Sequence, residues 1–192
     1  MTDMKEQNRK ADTDMEFEEV IRMCRALYVK KLQDYGASWR IMRPESLTDQ
    51  IFIKAKRIRS IETKGVSLID EGIRSELIGI VNYGIIALIQ LEHGYSDVVD
   101  KDAQWAIGEY DKYASAALEL MKKKNHDYDE AWRGMRTTSY TDLILTKINR
   151  TKEIESHDGK TVVSEGIDAN YMDMINYAVF GLIKTVIENG VN

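Results

Sequence analysis

Two pairs of basic residues have the spacing that suits a phosphate-binding site. Lys54 and Arg57 lie three positions apart, and so do Lys147 and Arg150. On an α-helix this spacing places both members of a pair on one face, where each can donate a charge-assisted hydrogen bond to a phosphate oxygen. The pairs indicate either phosphate binding or, as the alternative, ion pairs within or between helices to repeated acidic residues such as Asp49.

The basic pairs are part of a duplication that covers most of the chain. The segment 34–43 returns at 127–136, and each copy is followed by a stretch that carries Thr-Asp, Lys and Arg in the same order. After one inserted residue, Asn-Tyr at 82–83 returns at 176–177. Core packing explains the apolar identities. The polar identities need another reason, so they are the candidates for function.

Four further types of residue recur and complete the candidate nucleotide-binding set: Asp34, Trp39, Arg40 and Asn82, with Asp127, Trp132, Arg133 and Asn176. Each Trp precedes an Arg, and an indole beside a guanidinium can sandwich a base; the alternative is plain core packing. Each Asp is predicted at the end of a helix, where the dipole disfavours a carboxylate unless a basic partner or a metal ion is present. Each Asn lies among apolar residues and needs a hydrogen bond from another helix or from a ligand.

The hydrophobic pattern predicts three α-helices in each half of the chain. The predicted ranges are 15–33, 48–62 and 70–91, then 105–124, 140–155 and 164–188. Thr48 and Thr141 are predicted to cap the second helix of each half. The third helices are apolar on nearly all faces, so each must pack against more than its own half.

We therefore expect an all-α fold in which two tandem three-helix repeats pack as one pseudo-twofold helical domain, with a homodimer as the other way to cover the apolar faces. The predicted organisation is a flexible polar tail at 1–14, repeat one at 15–92, a linker at 93–104 and repeat two at 105–192.

Composition restricts the class of protein. The formal net charge of −5 argues against extended binding to a nucleic-acid backbone, which needs an excess of cations. The one cysteine, Cys24, excludes an internal disulfide and a cysteine-based metal site, and it fits a reducing cytoplasm. The longest apolar stretch, 78–91, is interrupted by polar residues, and residues 1–14 contain no apolar core. We therefore expect a cytoplasmic protein with no membrane span and no signal peptide.

The repeated strings resemble a known family. Lys-Lys-(x)2-Asp-Tyr-(x)3-Trp-Arg, the Thr-Asp-(x)4-Lys-(x)2-Arg helix and the closing Asn-Tyr are similar to the nucleotide-modification-associated domain family of phage and bacterial proteins, over 30–91 and again over 123–188. The resemblance implies a nucleotide or modified nucleotide as ligand and a link to nucleotide or base modification.

That family is in turn distantly similar to the all-α nucleoside triphosphate pyrophosphohydrolases, whose helices present Glu-x-x-Glu and Glu-x-x-Asp carboxylates to Mg²⁺. Here Glu76 lacks the following Asp, Asp173 lacks the preceding Glu, and the second helices carry Lys and Arg instead of Glu-x-x-Glu.

One hypothesis is a magnesium-dependent pyrophosphohydrolase with a composite site, in which Glu76 and Asp173 are catalytic and bind the metal with Glu71 and Glu165. The alternative is a non-catalytic helical interaction module with a degenerate nucleotide site, and a purely structural helical protein is the third hypothesis. The sequence leaves open which nucleotide is bound, whether it is cleaved, whether one or both repeats carry a site, and the oligomeric state.

Overall fold

A computed structural model describes residues 2–65 and 72–188, with side chains described from Asp12 onward. The helices are α1 (Thr2–Tyr35), α2 (Pro44–Lys64), α3 (Ile73–His93), α4 (Ala103–Tyr128), α5 (Thr137–Ser156) and α6 (Ile167–Leu182), which continues as a π-helical turn over Ile183–Glu188. Short 3-10 turns follow α1 and α4, at Ser38–Ile41 and Ala131–Gly134. No strand occurs in these ranges, so the prediction of an all-α fold with three helices in each repeat is confirmed.

The first helix begins much earlier than the hydrophobic pattern predicts. α1 starts at Thr2, so residues 2–14, which we expected to form a flexible polar tail, are helical. The periodic pattern of apolar residues detects the part of a helix that packs on a core. The segment 2–14 is rich in residues of good helix propensity and contains neither Pro nor Gly, so nothing in it ends the helix.

The six helices form three layers of two. α3 packs against α6 in the middle layer, α2 and α5 contact each other on one side, and α1 and α4 contact each other on the other side. Because α3 and α6 are covered from both sides, their apolar residues are buried on nearly all faces. α3 is long and apolar enough to cross a membrane, but 72% of its most apolar window is buried inside the protein, as in the core helix of a globular domain.

Reciprocal hydrogen bonds between the repeats reveal the pseudo-twofold relationship. Thr48 of repeat one donates to Glu155 of repeat two at 2.6 Å. Thr141 of repeat two donates to Glu62 of repeat one at 2.9 Å. Thr48 and Thr141 are equivalent residues, as are Glu62 and Glu155, so the same bond is made twice across the axis.

The prediction that these threonines cap their helices is wrong. α2 begins at Pro44 and α5 at Thr137, so both threonines lie one turn inside a helix. Pro44 favours this earlier start because its fixed φ suits the first position of a helix and its missing N–H costs no hydrogen bond there. Thr48 and Thr141 recur because the contact between repeats uses both of them.

Candidate functional site

A cavity of about 700 Å³ lies in repeat one, between α1, the turn at Ser38–Ile41, α2 and α3. We call it the repeat-one cavity. Its walls are largely apolar and aromatic, formed by Leu27, Tyr28, Leu32, Trp39, Met42 and Ile86. The polar side chains that border it include Lys31, Lys54, Glu76, Asn82 and Tyr83. A mostly apolar cavity of this size with a few polar groups is typical of a small-molecule site.

The positive charge of the cavity comes from Lys31 of α1 and Lys54 of α2, which we call the cavity lysines. Among the described residues Lys31 makes no ion pair. Lys54 lies 3.3 Å from the Glu76 carboxylate, and it also lies over the ring of Tyr83, 5.8 Å from the centroid. Glu76 is only 4% exposed, and its charge is also balanced by an ion pair with Arg57. Among the described residues, Glu76 therefore balances one of the three positive charges of Lys31, Lys54 and Arg57, and the cavity edge has a net positive charge.

Gly79 gives Lys54 the space that it occupies. A Cβ atom built on Gly79 would lie 2.5 Å from Cδ and from Cε of Lys54 and 3.0 Å from its Nζ. The end of the lysine side chain therefore lies directly over the α3 backbone at this position. A larger residue at position 79 would displace it.

Repeat two has Asp173 at the position equivalent to Gly79. The Asp173 side chain accepts a hydrogen bond from Lys124 and forms an ion pair with Lys147, whose Nζ lies 2.6 Å from Oδ2. These two lysines are the equivalents of the cavity lysines. Burial lowers the pKa of Lys124, but the hydrogen bond to Asp173 and its negative charge, with smaller contributions from Tyr177 and Glu165, together outweigh burial and raise the pKa of this lysine. Repeat two thus supplies its own anion to the pair of lysines.

A second difference between the repeats lies beside the repeated tryptophans. Phe180 of repeat two is the equivalent of Ile86 in repeat one. Its ring stacks on Trp132 at a centroid distance of 4.2 Å and an interplanar angle of 8°. In repeat one, Ile86 and Trp39 border the cavity instead. Asp173 and Phe180 therefore add a carboxylate and an aromatic ring in repeat two, whereas in repeat one Lys54 lies over Gly79 and Ile86 borders the cavity.

The two arginines that follow the repeated tryptophans make structural ion pairs and do not line the repeat-one cavity. Arg40 is buried and donates to Asp100 at 2.8 Å and to the carbonyl of Gly94 at 2.6 Å. Arg133 donates to Glu16 at 2.5 Å and to Glu130 at 3.0 Å. Both guanidiniums thus fix the segments around the 3-10 turns. Their tryptophan neighbours are buried core residues, of which Trp39 borders the cavity.

The predicted asparagines differ between the repeats. Asn82 donates to the carbonyl of Cys24 at 3.1 Å and accepts from Tyr110 at 2.8 Å, so it bridges three helices at the floor of the cavity. Asn176 is also buried, but neither polar atom of its side chain has a hydrogen-bond partner among the described residues. The repeated Asn therefore has an interhelical role in repeat one that repeat two does not reproduce.

The remaining basic and acidic candidates lie apart from the repeat-one cavity. Asp34 and Asp127 are exposed at the ends of α1 and α4, and Asp127 lies 3.1 Å from His126. Arg150 is exposed and borders a separate surface groove of about 670 Å³ beside the loop at 157–166. Of the four residues in the two predicted basic pairs, only Lys54 borders the cavity. Its neighbour Arg57 forms an ion pair with Glu76.

The carboxylates of the proposed composite magnesium site lie in two separate clusters. Glu76 is bound by Lys54 and Arg57 of repeat one, and Asp173 is bound by two lysines of repeat two. Glu165 is exposed, and Glu71 lies outside the described residues. In the part of the chain that the structure describes, these residues do not form the group of converging carboxylates that Mg²⁺ prefers. Magnesium binding stays a prediction.

One group of potential metal ligands does lie close together, at the start of the linker. It consists of Glu92, His93 and Glu109. Lys112 donates to Glu109 at 3.4 Å and lies 2.5 Å from Glu92, so one lysine is shared by the two carboxylates and balances one of their two negative charges. The cluster is separate from the repeat-one cavity, since none of its members borders the cavity.

Sequence reasoning noted that repeat one lacks an equivalent of Asp173 but interpreted this only as an incomplete metal-binding motif, and it missed the difference between Ile86 and Phe180. Identities between the copies drew attention to residues that maintain the shared fold, such as Arg40 and Thr48. The differences, Gly79 against Asp173 and Ile86 against Phe180, are equally readable in the aligned copies. They carry the signal for where one repeat is open and the other is filled.

Comparison with known proteins agrees with the duplication. No curated protein and no solved structure matches the chain. The family described as Nucleotide modification associated domain 1 matches it twice, over residues 31–91 and 124–185. The two matched segments begin at Lys31 and Lys124, which are equivalent lysines. The chain therefore belongs to the Nucleotide modification associated domain 1 family and carries two copies of that domain in tandem.

Proposed function

We propose that repeat one binds a nucleotide in the repeat-one cavity, with the phosphate on the cavity lysines and the base beside Trp39. Repeat two, in this proposal, is a filled copy that supports the fold. The family name links the chain to nucleotide modification, and a bound nucleotide is the simplest ligand consistent with that link.

The ion pairs of Asp173 are the observation that carries the proposal. In repeat two, two lysines converge on the two oxygens of one carboxylate. In repeat one the equivalent lysines border a cavity, and the equivalent of Asp173 is a glycine without a side chain. A pair of ammonium groups at the edge of a cavity favours an external anion, because charge-assisted hydrogen bonds to phosphate are short and strong.

The stack of Phe180 on Trp132 supports the placement of the base. An aromatic ring packs face to face on the indole of repeat two, whereas repeat one has Ile86 at the equivalent position. A planar base in the repeat-one cavity can make an analogous contact with the apolar and aromatic wall around Trp39. Aromatic stacking of this kind contributes about 0.5–1.5 kcal/mol beyond the burial of area.

The contacts of the carboxylates favour binding over metal-dependent hydrolysis. Glu76 and Asp173 are each neutralised by two basic side chains of their own repeat. A carboxylate in such an ion pair has fewer unoccupied lone pairs for a metal ion than an unpaired carboxylate has. We therefore propose a nucleotide-binding protein connected with nucleotide modification and assign no catalytic residue.

Calorimetric titration with a panel of ordinary and modified deoxynucleotides tests the proposal. We expect one nucleotide bound per chain. Lys31→Ala and Lys54→Ala should each weaken binding by about tenfold or more, the loss of one charge-assisted hydrogen bond. Lys30→Ala and Lys56→Ala are matched controls, since both lysines are exposed and neither borders the cavity. If no nucleotide of the panel binds, or if the controls weaken binding as much as the cavity variants do, the proposal is rejected.

A further inference from the structure

We propose that the ligand of the repeat-one cavity is a nucleoside monophosphate, bound without a metal ion. This inference rests on the proposed nucleotide site and adds the number of phosphate groups. It follows from the charge at the cavity edge, from the geometry of the filled copy in repeat two, and from the position of Glu76.

The charge at the cavity edge matches one phosphate group. Among the described residues, Lys31, Lys54 and Arg57 carry three positive charges and Glu76 carries one negative charge, which leaves a net charge of +2 at the cavity edge. A phosphate monoester carries about −1.5 to −2 charges near neutral pH, which the two ammonium groups neutralise. A triphosphate carries about twice that charge, and in proteins it is usually accompanied by Mg²⁺.

The geometry of repeat two indicates how much space lies between the lysines. Lys124 and Lys147 bind different oxygens of the same Asp173 carboxylate. The distance between the two ammonium groups is therefore spanned by one small anionic group. By the pseudo-twofold relationship, Lys31 and Lys54 can close on a single phosphate at the cavity edge, each donating to a different oxygen.

Glu76 opposes further phosphate groups beyond Lys54. Its carboxylate lies 3.3 Å from the Lys54 ammonium and is itself buried. A second or third phosphate on that side would meet the negative charge of Glu76 at short range. Arg57 is the further basic side chain on that side among the described contacts, and its guanidinium already binds Glu76.

Calorimetry in EDTA with the mono-, di- and triphosphates of each deoxynucleoside tests the inference on the full chain. We expect the monophosphate of the preferred base to bind at least about tenfold more tightly than its triphosphate, and Mg²⁺ to leave the monophosphate affinity unchanged. Gly79→Asp should abolish monophosphate binding, because the new carboxylate would engage the cavity lysines as Asp173 does in repeat two. The side chain that must move is the flexible end of Lys54, so the variant is expected to fold.

Gly108→Asp is the matched control, since Gly108 is exposed on α4 and a Cβ there meets nothing within 4 Å. It should bind the monophosphate like the wild type. Circular dichroism establishes whether Gly79→Asp is folded, and Lys31→Ala provides a second variant that removes charge without adding bulk. A triphosphate that binds more tightly, or binding that requires Mg²⁺, overturns the monophosphate inference and leaves the nucleotide site in place. Absence of all nucleotide binding, or monophosphate binding that survives in folded Gly79→Asp and in Lys31→Ala, overturns the site itself.

Discussion

Asp173 of α6 lies 2.6 Å from the ammonium group of Lys147, and the equivalent pair in repeat one is Gly79 and Lys54, in which the lysine lies over a bare backbone. Both repeats thus have a lysine at this position, but only repeat two has a carboxylate opposite it. We propose that this difference gives the two copies different roles: repeat two holds its two lysines on Asp173, and repeat one, in which Lys54 is paired with Glu76, offers its lysines to a ligand.

Asp173→Asn should destabilise the protein strongly. The substitution leaves the buried Lys147 and the half-buried Lys124 without a carboxylate partner, and breaking a buried pair in this way typically costs about 3–5 kcal/mol. Urea denaturation followed by circular dichroism measures the loss. Asp142→Asn is the matched control: its pair with Arg59 is exposed and spans 3.3 Å, so we expect a change of about 0–1 kcal/mol. Equal effects of the two substitutions would contradict the central role of the Asp173 cluster.

Asp173→Ala should make repeat two responsive to anions. Removal of the carboxylate leaves two lysines around a small space, which resembles the arrangement in repeat one. Inorganic phosphate at constant ionic strength should therefore raise the melting temperature of Asp173→Ala more than it raises that of the wild type, by mass action on the folded state. Differential scanning calorimetry in phosphate and in chloride makes the comparison. An identical response of the two proteins would show that the lysine pair does not bind an anion on its own.

The fold was largely predictable, because the signals that specify it are local or repeated. The apolar faces of α3 and α6 indicated that the two repeats share one core, and the structure shows those helices packed together. The start of α1 was missed because a polar helical segment has no hydrophobic period. The role of Thr48 was missed because its partner, Glu155, lies in the other repeat and more than a hundred residues away in sequence.

The site was less predictable for a physical reason. Residues kept in both copies, such as Arg40 and Asn82, bridge segments that both copies must hold together. A ligand site that exists in one copy only must lie where the copies differ, and a missing side chain such as that of Gly79 has no chemical signature of its own. It becomes informative when the structure shows what Asp173 does in the same place.

Glu155 should make stability depend on pH in a defined direction. Burial raises the pKa of its carboxyl, and the hydrogen bond from Thr48 only partly offsets this. A carboxyl whose folded-state pKa is raised stabilises the fold below its unfolded pKa, and this contribution is lost as the pH rises through the folded pKa. The free energy of unfolding of Glu155→Gln, which stays neutral, should therefore increase relative to the wild type between about pH 4 and pH 7.

Urea denaturation of Glu155→Gln across that pH range checks the prediction. The Gln side-chain carbonyl can still accept the hydrogen bond from Thr48, so the substitution changes the charge more than the contact. Glu153→Gln is the control on the same helix, because Glu153 is exposed. A difference from the wild type that is constant with pH would refute the assignment.

Cys24 should react only when the protein unfolds. Burial raises the pKa of its thiol to about 12, and the side chain is fully buried in the core. Thiolate is the reactive form, so labelling by a disulfide reagent at pH 8 should proceed at the rate of an opening reaction. A saturating nucleotide should slow the labelling further, since it binds the folded state. Rapid labelling of the native protein in the absence of denaturant would contradict the packing around α1.

The most direct measurement is a crystal structure of the full chain with a bound deoxynucleoside monophosphate. We predict one nucleotide in each chain, in the repeat-one cavity, with phosphate oxygens about 2.7–2.9 Å from the ammonium groups of Lys31 and Lys54 and with the base beside Trp39. In repeat two, Asp173 should keep its contacts with both lysines. A nucleotide found instead in the groove beside Arg150, or in repeat two with Asp173 displaced, would contradict it.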